Sequence, residues 1–289
     1  MNGALPRAGA PLRIAVLLVA HNRCDETVRA LRSIDSTQRV ETVPVLFDDA
    51  SSDGTAAAAM EVRPDTIVVS GEGDAFWNGG LHQAWTRALE LDVDAFLWLN
   101  DDVELDNETL DLLETAWSVQ RAAGRSHFIL VGATRGDDGQ QTYGALRCER
   151  RLQSISFPME SHGAAERYVD TFNGNIVLVP RSVTDRIGIN DPGFFHNLGD
   201  VDYGLRARAA GIPVIALPGT LGVCEGNLAK SARGYGSPAL SVREQWRKVN
   251  THHGLPPRSW LRFTRRHSGA LWPIHFALPY RHLFKFWRL

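Results

Sequence analysis

Residues 95–103 read AFLWLNDDV: five apolar residues and then, without transition, Asn100, Asp101 and Asp102. A run that is apolar at every position predicts a strand covered on both faces, as strands in a parallel sheet are. Its abrupt polar end predicts a loop at the carboxyl edge of that sheet, where open α/β sheets bind ligands because loops there carry polar groups without disturbing the core. The pattern recurs toward the N-terminus. Leu12–Ala20 (LRIAVLLVA) predicts a buried strand ending in His21-Asn22-Arg23, and Thr42–Phe47 a second ending in Asp48-Asp49. Thr66–Ser70 (TIVVS) predicts a third, followed by the glycine-rich loop GEGDAFWNGG with Trp77, Asn78 and Gly79. Helical patterns separate these strands. Val28, Leu31 and Ile34 recur three apart within Asp25–Ile34, an alanine-rich helix falls near Thr55–Val62, and Leu81–Leu91 follows the glycine-rich loop. Strand and helix in alternation predict βαβ units and a mostly parallel sheet flanked by helices, with the polar strand ends in one cleft.

Beyond Leu99 the pattern is less regular. Gly136–Phe157 predicts a hairpin or inserted loop, Thr171–Pro180 a further strand, Arg181–Gly188 a short helix, and Asp200–Ala210 a helix closed by Gly211. The composition is that of a folded globular chain of 289 residues, with 44% hydrophobic and 22% charged residues, which excludes disordered, collagen-like and coiled-coil classes. No run is long and apolar enough to span a bilayer and the N-terminus lacks a signal-peptide core, so the expected location is the cytoplasm. Three scattered cysteines, Cys24, Cys148 and Cys224, predict reduced thiols. The net charge of −2 hides an asymmetry: from Ser241 onward ten Lys/Arg face one acid, a local +9, which leaves the body at −11. Four of the eight tryptophans lie in that basic tail. The division expected is therefore a body over 1–240 and a helical, basic and aromatic extension over 241–289.

The carboxylates carry the chemistry. Asp101 and Asp102 repel each other after a buried strand, a cost that a divalent cation would relieve; oxygen donors select Mg²⁺ or Mn²⁺, completed by substrate phosphates. The bland alternative is a solvated turn that also caps the next helix. In FDDASSDGT, Asp48 at the strand end can accept the imide N–H of a uracil or thymine ring, while Ser51 and Asp53 suit capping. In DVDYGLRAR, Asp202 and Arg206 stand at i, i+4 as a helix-surface pair, and Asp200 at the helix start reads either as a general base, with its pKa lowered by the helix dipole, or as a plain cap.

Taken together these stretches resemble glycosyltransferase family 2, the nucleotide-sugar-dependent enzymes of the GT-A fold, over roughly Leu12–Gly226. The matching residues are Ala20-His21-Asn22-Arg23, FDDASSDGT, FWNGG, LNDDV as a DxD-type motif, FNGNIVLVPR, and FFHNLGDVDYGLRARAAG beside the family's Glu-Asp-x-Asp-x-x-x-Arg signature. The resemblance implies that Asp48 reads the base and that Ala20, His21 and Arg23 line the nucleotide site. It implies that Trp77, Asn78 and Gly79 flank base and ribose, with Asn100 and Asp101 in the same nucleotide-sugar set. Asp102 would be the principal metal ligand with Asp101 close by, Asp200 the catalytic base, and Asp202, Arg206 and His196 secondary or acceptor-side residues. Gly199 stands where the family usually has Glu, and Cys224 where many members place a metal-ligating His; a thiolate is a poor ligand for hard Mg²⁺.

The function expected is an inverting, Mn²⁺- or Mg²⁺-dependent transferase. It would move a sugar from a UDP- or dTDP-linked donor to a hydroxyl of a glycan or lipid-linked acceptor in bacterial surface polysaccharide synthesis. The rivals are a nucleotidyltransferase making the activated sugar, which would need a glycine-rich basic loop after the first strand, and a non-catalytic nucleotide-sugar-binding module. The tail from Pro256, PPRSWLRFTRRHSGALWPIHFALPYRHLFKFWRL, either lies on an anionic membrane surface or packs its aromatics on the body. Nucleic acid is not an expected partner of so acidic a body.

Overall fold

The alternating β and α elements arise where the hydrophobic runs predict them. In the computed structural model, which describes residues 10–226, 241–251 and 254–281, they are β1 (Leu12–Ala20), α1 (Cys24–Arg32), β2 (Val40–Asp48), α2 (Thr55–Val62), β3 (Ile67–Ser70), α3 (Phe76–Ala88) and β4 (Ala95–Leu99). The chain continues through β5 (Glu104–Leu105), α4 (Thr109–Ala122), β6 (Ile129–Val131), β7 (Thr134–Arg135), β8 (Gln141–Tyr143), β9 (Ala145–Leu146), β10 (Glu149–Arg151) and β11 (Ser154–Ser156). Then come β12 (Arg167–Val169), β13 (Thr171–Phe172), β14 (Ile176–Pro180), α5 (Arg181–Ile187), α6 (Gly199–Ala209), β15 (Val214–Ala216) and β16 (Gly222–Val223). The C-terminal helices are α7 (Val242–Val249), α8 (Pro257–His267) and α9 (Trp272–Ala277).

Eight strands form the main sheet in the order β12-β15-β6-β14-β4-β1-β2-β3. Strands β4, β1, β2 and β3 are parallel neighbours, whereas β14 runs antiparallel to both β4 and β6. The core lies on both faces: Ile14, Val16, Leu18 and Leu97 pack on one, and Leu17, Phe47, Phe96 and Trp98 on the other. Those covered faces explain the continuous apolar runs of β1 and β4.

Two elements differ from the sequence reading, while the stretch after Gly136 forms hairpins as expected. The glycine-rich stretch is not all loop: α3 begins at Phe76, five residues early, so Gly79 and Gly80 are helical. Gly80 presses this helix onto the sheet, for a Cβ there would lie 2.6 Å from Val19 and 2.7 Å from Phe47. The run Thr171–Pro180 is two strands. β13 pairs with β9, and Asn173-Gly174 turns the chain into β14. In the stretch from Gly136 to Phe157, two small hairpins form, β7–β8 and β10–β11.

The described part of the C-terminal extension packs on the body. Trp260 and Phe263 of α8 are buried with Leu146, Phe194, Leu198, Val201 and Leu205. Arg266 of α8 pairs with Asp202 at 2.6 Å and Asp191 at 2.7 Å, and Arg262 pairs with Asp191 at 2.8 Å. Of the two arrangements expected for the tail, these residues follow the one that packs on the body; Trp287 lies outside the described residues.

Candidate functional site

The loops after β1, β2, β3 and β4 are tied to one another before any ligand is considered. Asn22, in the left-handed region at φ 52°, donates its N–H to Ser51 Oγ (2.9 Å) and accepts from the Ser52 N–H on Oδ1 (2.7 Å). Asp53 accepts from the N–H groups of Cys24 and Thr55, joining the starts of α1 and α2. Asp49 takes the N–H groups of Gly73, Ala75 and Phe76 at 2.8–3.2 Å. That bonding starts α3 early: three N–H groups that helix formation leaves unpaired find a carboxylate at the positive end of the helix dipole. Of the adjacent pair Asp48-Asp49, the second is thus structural. Asp48 is nearly buried and accepts from the Ser51 N–H at 3.1 Å.

Other residues assigned to the nucleotide site have structural work to do. Ala20 is buried, and its carbonyl accepts the Asp49 N–H. His21 donates from Nδ1 to the Asp49 carbonyl at 2.6 Å and its side chain is exposed. Asn78 is fully buried: its amide donates to the carbonyls of Asp191 and Phe194 and accepts from Asn190 Nδ2. A fully buried side chain does not line a cleft, so Asn78 is a scaffold residue. Gly79 lies next to Ala75 in the first turns of α3. Trp77 is a bridge. Its indole N–H donates to Asn100 Oδ1 at 2.8 Å, and its ring covers Gly174 so closely that a Cβ there would lie 2.5 Å away.

Behind that ring two acidic centres meet. Gly174 donates its N–H to Asp200 Oδ2 (3.1 Å), and the next residue, Asn175, accepts the Asn100 N–H on its carbonyl (3.3 Å) and donates to Cys224 Sγ (3.7 Å). One peptide unit therefore links Asp200 to the end of β4. Asn173-Gly174-Asn175 stands within FNGNIVLVPR, but nothing in its spacing identifies Gly174 as the donor to Asp200.

At the end of β4 the expected relief of charge comes from within the chain. Arg23 lies 3.1 Å from both Asp101 and Asp102, so an arginine occupies the role argued for a cation. Burial pushes the Asp101 carboxyl up to about 7, with Arg23 opposing and Asp102 adding to the rise. Cys224, buried beside Asp102, donates its S–H to Asp102 Oδ1 at 3.4 Å, and burial followed by the Asp102 charge holds the thiol in its neutral form. Among the described residues no group of three or more His, Cys, Asp or Glu side chains is gathered to hold a metal ion. The donor set nonetheless fits one kind of site. Asp102 and Asp101 offer hard oxygen donors, and a Mg²⁺-type ion bound through one or two carboxylates completes its shell with water and diphosphate, leaving the Cys224 thiol outside.

Asp200 and Asp202 sit in the first turn of α6, which Leu198 enters at φ 74°. Asp200 is half-buried and, among the described residues, accepts from backbone N–H groups, those of Gly174 and Val201. Burial raises its carboxyl to about 6, outweighing those hydrogen bonds, so the lowering expected from the helix terminus is overturned by desolvation. Asp202 is not a surface partner of Arg206: it is fully buried, and Arg206, Arg266 and His267 converge on it at 2.6–3.0 Å. Gly199 explains its own departure, because a Cβ there would fall 1.9 Å from Asn78 Oδ1. His196 stands edge-on to Phe76 at 6.4 Å, and Phe76 packs on the exposed Phe195 at 4.4 Å. The glycines of the segment Asn227–Pro238 suggest a mobile lid from sequence alone, and that segment lies outside the described residues.

No protein-family model matches the chain, and no curated protein sequence matches it. Solved structures do. A mannosyltransferase from Pyrobaculum calidifontis, in complex with GDP-Man and Mn²⁺, superposes with a TM-score of 0.54 at 15% identity, over 97% of this chain and 73% of that one. TarS of S. aureus, residues 1–349 in complex with UDP-GlcNAc, gives 0.54 at 14% identity over 82% of this chain and 64% of that one. The chain shares its fold with these two proteins. It is a mixed α/β sheet flanked by helices.

Proposed function

We propose that the protein is an inverting glycosyltransferase that moves a sugar from a nucleoside-diphosphate donor to an acceptor hydroxyl, with Asp200 as the general base. The observation that carries this reading is Asp200 itself. It is a carboxylate with no cationic partner among the described residues, raised to about 6 and joined through Gly174 and Asn175 to the acidic end of β4, on a fold shared with glycosyltransferases. A base poised near neutral pH can take a proton in the transition state and still be ionised beforehand. Asp200 would accept the proton of the acceptor hydroxyl as that oxygen attacks the anomeric carbon and the diphosphate departs from the opposite face. A single displacement needs no enzyme nucleophile, and the chemistry of the thiols supports that: burial, with help from nearby acids, pushes Cys24, Cys148 and Cys224 up and keeps them protonated.

Asp48 would receive the imide N–H of a uracil or thymine base, which supports a UDP- or dTDP-linked donor. Arg23 would stand beside the diphosphate. A Mg²⁺ or Mn²⁺ ion held by Asp102, with Asp101 beside it, would neutralise the charge developing on the leaving group. The acceptor fitting this reading is a glycan or lipid-linked sugar of a bacterial surface polysaccharide. The test is thermal stabilisation by UDP-, dTDP- and GDP-sugars with Mn²⁺, with Mg²⁺ and with chelator. A ligand bound only by the folded state contributes about 2.7 kcal/mol at a hundredfold excess over its Kd. A metal-dependent rise with a UDP- or dTDP-sugar is expected; a rise with none of the donors overturns the reading.

A further inference from the structure

The tail's most prominent cations are spent internally, which shows what is left outside. Asp191 and Asp202 hold Arg262 and Arg266, and Trp260 and Phe263 are buried. Among the described residues Arg150, Arg258, Arg265 and Arg281 are exposed and take no carboxylate partner. Two structural elements bring some of these cations together with exposed apolar side chains. In the β10–β11 hairpin Arg151 pairs with Ser154, so Leu152 and Gln153 form the turn. Leu152 stands where hairpin turns favour Asn, Asp or Gly, and it is 64% exposed. This tip rests on α9: the buried His275 donates from Nε2 to the Arg151 carbonyl at 2.8 Å. Leu152 and Ile274, the latter 40% exposed, each adjoin one partner of that bond. Pro273 beside Ile274 is exposed as well, and Trp272 at the start of α9 carries the Arg265 guanidinium over its ring at 4.9 Å.

We propose that this surface, the tip Arg150-Arg151-Leu152 together with Arg265, Trp272, Pro273 and Ile274, docks on an anionic lipid bilayer. The charge complementarity rests on Arg150 and Arg151, which precede Leu152 in the chain, and on Arg265 over the Trp272 ring; of these Arg151 also pairs with Glu149 at 3.1 Å. Basic residues are drawn to anionic headgroups, and tryptophan sits at the interface with one side apolar and the other wet. Leu152 and Ile274 are single exposed apolar side chains, one on a hairpin turn and one on a short helix. A fluid interface accepts such projections singly, whereas a protein partner needs a matched, contiguous face. From Arg281 the sequence continues as HLFKFWRL, again cations among aromatics, beginning at the same module. The module is also joined to the site: Ser259 Oγ accepts the Phe195 N–H and the Gly254 carbonyl accepts from Asn197 Nδ2, both in the loop that leads to Asp200. Docking would thus bring the loop before Asp200 close to a lipid-linked acceptor; that consequence rests on the transferase reading, the lipid surface itself does not.

The experiment is co-sedimentation of the full chain with vesicles of phosphatidylcholine alone or mixed with phosphatidylglycerol, at low and high salt, beside the double variant Leu152→Glu/Ile274→Glu. The wild type is expected to pellet with the anionic vesicles at low salt and to be released by high salt. The variant should lose about tenfold in partitioning. Both positions are exposed, so an unchanged thermal melt shows that the variant is folded. A wild type that stays in the supernatant, or a variant that pellets equally, overturns the proposal. So does light scattering that shows a dimer broken by the variant without vesicle binding, since the face would then belong to a second copy. Pelleting without any donor-induced stabilisation would leave the lipid surface standing and remove the transferase reading.

Discussion

Asp200 and Asp202 lie two residues apart on one helix, and their surroundings are opposite. Among the described residues Asp200 faces backbone N–H groups alone, and it is pushed up to about 6; Asp202 is sealed from solvent and met by Arg206, Arg266 and His267. A carboxylate gripped by two arginines and a histidine holds its neighbours in place, whereas one left with two N–H groups is available for proton transfer. The same contrast recurs between Asp48 and Asp49. Asp49 is consumed by three N–H groups of the α3 loop, while Asp48 accepts one from Ser51. Identity and even proximity of acidic residues do not separate the reactive ones from the structural ones; their partners do.

Substitutions at these positions test the contrast directly. Asp200→Asn removes the proton acceptor and keeps the shape, so transfer, read as diphosphate release in the presence of acceptor, should fall by roughly 10²–10⁴-fold with donor-induced stabilisation retained. Unchanged turnover would make Asp200 another structural acid. Asp202→Asn should do the reverse. Two arginines and His267 lose their carboxylate, and urea unfolding should show a loss of about 3–5 kcal/mol, the range for breaking a buried charge pair. A variant as stable as the parent would mean that α8 is held by its aromatics alone.

A smaller effect is expected from Gly174→Ala. The new methyl would meet the Trp77 ring at 2.5 Å, and overpacking of that kind costs about 1–3 kcal/mol. Because the Gly174 N–H also holds Asp200, activity should drop more than the melting temperature alone explains. The smallest effect is on the pH dependence. Activity should rise with pH through a midpoint near 6 as Asp200 ionises. For stability the sign is opposite: the folded-state pKa lies above the ordinary 3.8, so the contribution of protonated Asp200 is complete below about pH 4 and is lost as the pH rises through about 6. Stability curves of the parent and of Asp200→Asn should therefore diverge across that window; parallel curves would show that desolvation does not govern this group.

Much of the fold was legible in the apolar runs. β1 and β4 came out at Leu12–Ala20 and Ala95–Leu99, because strands buried on both faces leave a continuous hydrophobic record. The start of α3 was not legible, since it depends on a carboxylate, Asp49, 27 residues earlier in the chain than Phe76. The break inside Thr171–Pro180 was equally hidden: both halves are apolar, and only the separate partners of β13 and β14 divide them. Site residues show the same limit. His21, Arg23, Asp48, Asp101, Asp102 and Asp200 were all visible as polar residues at strand or helix ends. Arg23 as the counter-ion of two carboxylates, Gly174 as the donor to Asp200, and Trp77 as their bridge required distances.

The sequence by itself determined the alternation of strands and helices, the clustering of acids at the carboxyl edge of the sheet, and the division between an acidic body and a basic tail. Those properties are local: hydrophobic periodicity, turn chemistry and charge counts depend on neighbours along the chain. Tertiary structure alone decided which acid is isolated and which is neutralised, that Gly199 must be small against Asn78, and that Arg262 and Arg266 point inward while Leu152 and Ile274 point out. Electrostatic energy depends on distance through space and on access to water, and neither is written in the order of residues.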